Sequence, residues 1–254
     1  MKENNLSMNF GLIGKSLSHS FSKSYFDAKF LAEKRTNYSY SNFDLQNLDS
    51  LLTLISEQNL SGLNVTKPYK ELVIPYLNEL DSIAQEIGAV NCINISQIDN
   101  KPYLKGYNTD YYGFAQSIKP FMDPSHQKAL ILGSGGASKA VYNALKNVGI
   151  DVYFVTTGAK KAENYFYYNE LNEYVLSAFK LIVNSSPLGL YPAIENCPDI
   201  PYQFLTSEHL MYDLIYNPEE TLFLKKGKAQ GAVTINGLNM LKLQADKAWE
   251  IWTK

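Results

Sequence analysis

The run Gly133-Ser134-Gly135-Gly136-Ala137-Ser138 constrains the fold more than any other feature of the chain. It lies between an apolar stretch, Ala129–Leu132, and an amphipathic one, Ala137–Val148. A strand that turns tightly into a helix needs a residue free to take a positive φ, then a main chain bare enough for a ligand to come close. Gly133 permits the turn, and Gly135 lets a pyrophosphate approach the backbone. The helix that follows offers unpaired N–H groups and the positive end of its dipole to the same anion. Gly149, just past the amphipathic stretch, is placed to close that helix. This is the setting of a dinucleotide-binding fingerprint, with Ser138 in its third position instead of glycine. A plain strand-to-helix turn would use the same residues, so the motif needs support from the rest of the chain.

The alternation of elements supplies part of it. Asn9–Ile13, Tyr38–Phe43 and Gly62–Val65 read as strands, and residues 23–33 and Leu48–Gln58 as helices. Leu72–Asn78 reads as helical, limited by Pro75, and Ala89–Ile95 with Pro102–Gly106 as a hairpin. Beyond Lys128, strands are expected at Ala129–Leu132, Asp151–Val155, Ala178–Asn184 and Leu210–Ile215. Such an order predicts an α/β fold with helices on the faces of a parallel sheet. The length of 254 residues allows two modest domains, and 45% hydrophobic residues are enough for real cores. With 23 basic against 25 acidic residues, the chain lacks the basic excess of a nucleic-acid or anionic-membrane binder. It has no apolar run of membrane-spanning length and no apolar segment near its start resembling a secretory signal. Cys92 and Cys197 are far apart and suggest neither a disulfide framework nor a metal site. A cytoplasmic, metal-free protein is expected.

Three polar clusters precede the glycine turn. Ser18-His19-Ser20-Phe21-Ser22 places two hydroxyls, Ser20 and Ser22, two residues apart, suited to a carboxylate or polyol; a helix cap would use the same residues. Asn64-Val65-Thr66-Lys67-Pro68-Tyr69-Lys70 sets a lysine just after a proline turn at a strand end, a catalytic ammonium or a surface lysine. Gly88-Ala89-Val90-Asn91 and Gly106-Tyr107-Asn108-Thr109-Asp110 form the third, with Asp110 heading a helix either as a cap or as a partner that keeps Lys70 charged.

Taken in order, these clusters and the glycine turn closely resemble the shikimate dehydrogenase family. The resemblance extends through Asn184-Ser185-Ser186-Pro187-Leu188-Gly189, Asp213-Leu214-Ile215-Tyr216-Asn217-Pro218 with Thr221, and Gly237, Met240, Leu241 and Gln244. It implies reversible reduction of 3-dehydroshikimate to shikimate with NADPH, on the route to chorismate and the aromatic amino acids. It implies that Lys70 and Asp110 form the catalytic pair. Ser20 and Ser22 would hold the substrate carboxylate, with Tyr216 near that end; Thr66, Asn91 and Gln244 would join Asp110 on its hydroxyls and reacting oxygen. Gly133, Ser134, Gly135, Gly136, Ala137 and Ser138 would cradle the cofactor pyrophosphate, and Gly237 would lie beside the nicotinamide. The implied architecture is a substrate domain over 1–110, completed by a terminal helix from 237 to 254, and a Rossmann-type NADP domain over 111–236. The active site would occupy the cleft between them. Only small-molecule partners are implied, for a monomer or homodimer.

Three departures stand out. Lys23 follows Ser22 where the family continues with proline, and Leu190 replaces a methionine. More consequential, the family's NADP-binding Asn-Arg-Thr reads Thr156-Thr157-Gly158 here. No carboxylate at that strand end favours NAD either. Lys160 and Lys161 could meet a 2′-phosphate as point charges, without the planar fork of arginine. NADP is therefore expected over NAD, and a quinate/shikimate dehydrogenase with NAD or mixed cofactor use is the alternative.

Overall fold

The computed structural model describes residues 7–17, 20–159 and 163–254. The chain divides into two units, one running to Thr109 and resuming at Ala245–Lys254, the other spanning Asp110–Gln244. The residues from 237 to 244, expected to return to the first unit, thus belong to the second.

In the first unit, β1 (Met8–Gly14), α1 (Phe21–Ala32), β2 (Tyr38–Asp44), α2 (Leu51–Glu57), β3 (Leu60–Val65), α3 (Tyr69–Leu72), β4 (Glu79–Leu80), α4 (Ser82–Ile87), β5 (Cys92–Ile98) and β6 (Lys101–Tyr107) follow in order. The strands form one sheet in the order β2-β1-β3-β5-β6-β4. β1 pairs in parallel with β2 and β3, while β5 lies antiparallel to β3 and β6, so this sheet is mixed. Successive residues of β1 face opposite cores, as the period of a strand requires. Phe10 and Leu12 pack with Phe26, Phe30, Trp249 and Trp252, whereas Ile13 packs with Leu51, Leu63 and Val65. The helix expected at Leu72–Asn78 instead ends at Leu72, and a separate 3₁₀ turn covers Ile74–Tyr76. Pro75, which has no N–H, sits in the first positions of that turn and starts it afresh.

The second unit runs through α5 (Thr109–Ile118), β7 (Lys128–Leu132), α6 (Gly136–Lys146), β8 (Asp151–Thr156), β9 (Tyr165–Tyr167), α7 (Glu173–Ala178), β10 (Leu181–Asn184), β11 (Leu210–Asp213), α8 (Leu222–Ala229), β12 (Val233–Ile235) and the first half of α9 (Leu238–Trp252). Its sheet is parallel throughout, in the order β12-β11-β10-β7-β8-β9. Counted within the unit, that is the doubly wound order of a Rossmann sheet. Its central strands are continuously apolar because both faces are covered. Ala129, Ile131, Val183 and Tyr212 meet Phe114, Val141 and Met240, while Leu130, Leu132, Ile182 and Met211 meet Leu176 and Phe223. The strand expected from Ala178 begins only at Leu181. Ala178 closes α7, whose first turn is capped by the Asn172 side chain accepting from the Val175 N–H at 3.1 Å.

Candidate functional site

Register brings the three polar clusters to one end of the first sheet. Ile13 aligns with Val65, so the turns after β1 and β3 leave side by side. Cys92, the first residue of β5, aligns with both Asn64 and Tyr107. The serine turn, Thr66 with Lys70, Asn91, and the Asn108-Thr109 segment leading into Asp110 therefore share that end, although they are dispersed over ninety residues of sequence.

Each is held by identifiable bonds. Ser20 caps α1 through its hydroxyl oxygen, which accepts from the Ser22 N–H at 3.3 Å. Thr66 donates its N–H to the Ile13 carbonyl at 2.9 Å and accepts from the Tyr69 N–H through its own carbonyl. Lys70 lies on α3; its carbonyl accepts from the Val90 N–H at 2.7 Å, and the neighbouring Tyr69 ring is buried with its hydroxyl donating to the Leu45 carbonyl at 2.6 Å. The Asn91 amide oxygen accepts from the Thr109 N–H at 2.6 Å, and its nitrogen donates to the Thr109 hydroxyl at 3.0 Å. Asn91 thus fixes the start of α5, on which Asp110 is the next residue, 9% exposed. An amide has two N–H bonds, so one remains on Asn91 for a ligand hydroxyl.

Within the second unit, α5 and α9 approach closely at Gly113. A Cβ there would stand 2.6 Å from the Met240 carbonyl and 3.0 Å from the Gln244 Cβ. Asp110 lies one helical turn before Gly113, so this approach brings Asp110 and Gln244 onto adjoining stretches of neighbouring helices. Tyr216 and Gly237 follow β11 and β12 at the carboxyl end of the sheet. Burial raises the Tyr216 hydroxyl above its ordinary pKa and keeps it protonated. Gly237 is required by close approach: it donates to the Ile215 carbonyl at 3.0 Å, and a Cβ would fall 2.2 Å from the Leu214 oxygen.

The glycine turn occupies the switch point of the sheet, where the chain passes between the β7–β8–β9 half and the β10–β11–β12 half. Gly133 has φ +100°, which glycine alone takes without strain, and donates to the Val155 carbonyl at 2.9 Å. Gly135 is the N-cap of α6, and among the described residues no side chain caps that helix. A Cβ at Gly135 or Gly136 would meet nothing within 4 Å, and Ser134 is exposed. An uncapped eleven-residue helix with an open, bare-backbone approach fits a pyrophosphate. Ser138, expected on the cofactor, is 1% exposed and turns its hydroxyl back onto the Gly135 carbonyl, locking the turn. Thr156 likewise accepts from the Gly158 N–H at 3.0 Å, while Thr157 stands exposed at the strand end. Lys160 and Lys161 lie outside the described residues. Because the space at Gly135 is open, Gly135→Asp is expected to fold normally yet raise the KM for the dinucleotide by more than about tenfold, since its carboxylate opposes the anion at the helix N-terminus. Steady-state kinetics with a parallel melting curve checks both halves of that expectation.

Two buried networks emerge only in the folded chain. Asp213 is fully buried and accepts from the Thr221 hydroxyl at 2.6 Å, the Ile215 N–H at 3.0 Å and the Asn184 amide at 3.1 Å. Burial pushes its pKa up to about 6, with these three donors pulling the other way. It ties β10, β11 and the N-cap of α8 together at the carboxyl edge of the sheet. In the first unit, Tyr40, Asn64 and Asn91 form a second line of buried polar groups. The signal available for it was Asn64 itself, an amide inside the apolar run from Leu63 to Val65.

Residues 12–93 match the model of the shikimate dehydrogenase substrate-binding domain. The chain is 36% identical to the shikimate dehydrogenase (NADP(+)) of Desulforamulus reducens, over 96% of this chain and 89% of that protein. Among solved structures, it superposes on the shikimate 5-dehydrogenase of Thermus thermophilus in complex with NADP(H) and shikimate with a TM-score of 0.83 and 30% identity, covering 97% of this chain and 93% of that one. It is also similar to a quinate dehydrogenase from Corynebacterium glutamicum in complex with NAD, with a TM-score of 0.86 and 29% identity over 97% of this chain and 94% of that one.

Proposed function

Because the chain belongs to the shikimate dehydrogenase family, we infer that it catalyses the reversible NADPH-dependent reduction of 3-dehydroshikimate to shikimate, a step towards chorismate. The observation that carries this reading is the convergence of the serine turn, Thr66, Lys70, Asn91 and the Thr109-Asp110 step at one end of the first sheet. The substrate is a small, hydroxylated carboxylate, and this is a set of hydroxyl, amide, ammonium and carboxylate groups.

NADPH, when bound, supplies hydride to the carbonyl carbon. The Lys70 ammonium stabilises the alkoxide that develops and protonates it; in the oxidative direction, neutral Lys70 accepts the alcohol proton. The Asp110 carboxylate, the second member of the catalytic pair, binds a substrate hydroxyl. Ser20 and Ser22 hold the substrate carboxylate as hydroxyl donors, and Tyr216 contributes to substrate binding near that end. Thr66, the remaining Asn91 N–H and Gln244 bind hydroxyls and set which oxygen faces Lys70. The N–H groups at the start of α6, reached through the open approach past Gly135 and Gly136, would receive the pyrophosphate, and Gly237 would lie beside the nicotinamide.

The quinate dehydrogenase neighbour and the Thr156-Thr157 strand end motivate one competing reading, broader substrate use with NAD. Comparing kcat/KM for shikimate and quinate, each with NADP and NAD, decides between them. A shikimate dehydrogenase that prefers NADP has its highest value for that pair. A higher value for quinate with NAD would replace this reading. Among the described residues no helix is long and apolar enough to cross a membrane.

A further inference from the structure

The serine turn is tied to the first unit through Leu17. Its side chain is buried with Phe10, Leu12 and Phe26. Both of its main-chain groups are gripped by side chains from the end of β2. The Leu17 N–H donates to the Asp44 carboxylate at 3.0 Å, and the Leu17 carbonyl accepts from the Asn42 amide at 3.2 Å. The same carbonyl accepts from the Ser20 N–H at 3.0 Å, and the Ser20 hydroxyl oxygen in turn accepts from the Ser22 N–H at 3.3 Å. A carbonyl has two lone pairs, and both are used here. Asp44 and Asn42 thus act on the two serines through Leu17.

Register makes the grip possible. Asp44 is the last residue of β2 and pairs with Gly14, the last of β1, so its carboxylate meets the chain three residues further on. Ser16, immediately before Leu17, has φ +60°, a left-handed conformation that a residue with a Cβ seldom takes and that persists only where its surroundings impose it. The Asp44 bond is made to the next N–H along and holds that conformation in place. Asn42 is committed in the same way. Its amide oxygen is buried and meets no donor among the described residues, so its contribution comes through the nitrogen that binds Leu17.

We propose that Asp44 and Asn42 are positioning residues for the substrate carboxylate: by fixing Leu17 they set where the Ser20 and Ser22 hydroxyls stand. The proposal rests on reading the serine turn as the carboxylate site. Hydrogen bonds weaken steeply as their geometry departs from linear, so a shift of the turn that carries both hydroxyls weakens both bonds to the carboxylate together. Releasing Leu17 lets Ser16 relax to a commoner φ, and the turn moves with it. Substrate binding then weakens, while Lys70, carried separately on α3, keeps its chemistry.

The test is steady-state kinetics with shikimate and NADP, beside melting curves. Asp44 is exposed, so Asp44→Ala leaves the core intact. It is expected to raise the KM for shikimate by about three- to tenfold, with kcat and the KM for NADP within about twofold of the wild type. Asp44→Asn keeps a neutral acceptor for the Leu17 N–H and should raise KM by less than about threefold. Asn42→Leu removes the buried oxygen together with the nitrogen, so it should raise the KM for shikimate without lowering the melting temperature. In a Ser20→Ala/Ser22→Ala background, Asp44→Ala should change kcat/KM for shikimate by less than about twofold, because it acts through those hydroxyls. An unchanged KM in Asp44→Ala, an equal loss in the serine-free background, or a lower melting temperature with unchanged KM in Asn42→Leu overturns the proposal. Should Asp44→Ala fail to fold, Asn42→Leu still decides. If the two serine substitutions themselves leave kcat/KM for shikimate unchanged, it is the carboxylate reading of the turn that fails, and the proposal falls with it.

Discussion

Replacing Lys70 with alanine should lower kcat for shikimate oxidation by about 10²–10⁴-fold and leave the KM for shikimate within about threefold. The asymmetry follows from the chemistry. On the proposed reading, Ser20, Ser22, Thr66, Asn91 and Gln244 would hold the substrate's carboxylate and hydroxyls in the ground state, whereas the ammonium of Lys70 would matter most when charge develops on the reacting oxygen. The substitution leaves the local structure in place, because α3 is anchored by the buried Tyr69 ring and by the bond from the Val90 N–H to the Lys70 carbonyl, and neither involves the lysine side chain. Lys70→Arg keeps the positive charge but cannot take up the alcohol proton at ordinary pH, so it should not restore oxidation. Turnover near that of the wild type in Lys70→Ala would remove the lysine from the mechanism.

The largest expected effect on stability is at Asp213. Asp213→Ala strands three buried donors, from Thr221, Ile215 and Asn184, at the junction of β10, β11 and α8. Breaking such a site costs about 3–5 kcal/mol, or roughly 6–20 °C in melting temperature for a chain of this size. Asp213→Asn preserves an acceptor for the Ile215 and Asn184 donors and should lose less. The same pair of proteins has a pH signature. Burial raises the Asp213 pKa to about 6 from the ordinary 3.8, so between those values the folded chain holds more protons than the unfolded one. Its contribution is then fully present below pH 3.8 and declines as the pH rises towards 6. The asparagine variant does not titrate there, and other groups cancel in the comparison. The melting temperature of the wild type should therefore fall relative to that of Asp213→Asn between about pH 4 and pH 6. The opposite trend would show that the three donors outweigh burial and hold the carboxylate ionised.

Much of this is legible in the sequence where the information is local. The strands at Asn9–Ile13 and Asp151–Val155 and the helix after the glycine turn are long and periodic enough to read, and Gly149 does take a positive φ of +84° beyond α6. The strands β4, β9 and β12 have two or three residues each, and α4 and α7 six, too few for any period to emerge. At Leu72–Asn78 the apolar spacing suggests one helix, but Pro75 divides it. The residue types of the candidate site are visible in the sequence, whereas their meeting is not. That meeting depends on Cys92 pairing with both Asn64 and Tyr107, a register set by contacts far apart in sequence. Side-chain direction is similarly hidden. Ser138 and Thr156, expected on the dinucleotide, both engage their hydroxyls inside their own turns. The Tyr40–Asn64–Asn91 line joins three separate strands or strand ends and leaves no local trace beyond one amide in an apolar run.

The most direct test of the proposed reaction is to mix the purified protein with shikimate and NADP and follow NADPH and 3-dehydroshikimate together. The predicted result is formation of the two in equal amounts, strictly dependent on shikimate and reversed by adding 3-dehydroshikimate with NADPH. Binding of NADP without any shikimate-dependent NADPH formation would contradict it and leave the chain a silent member of its family.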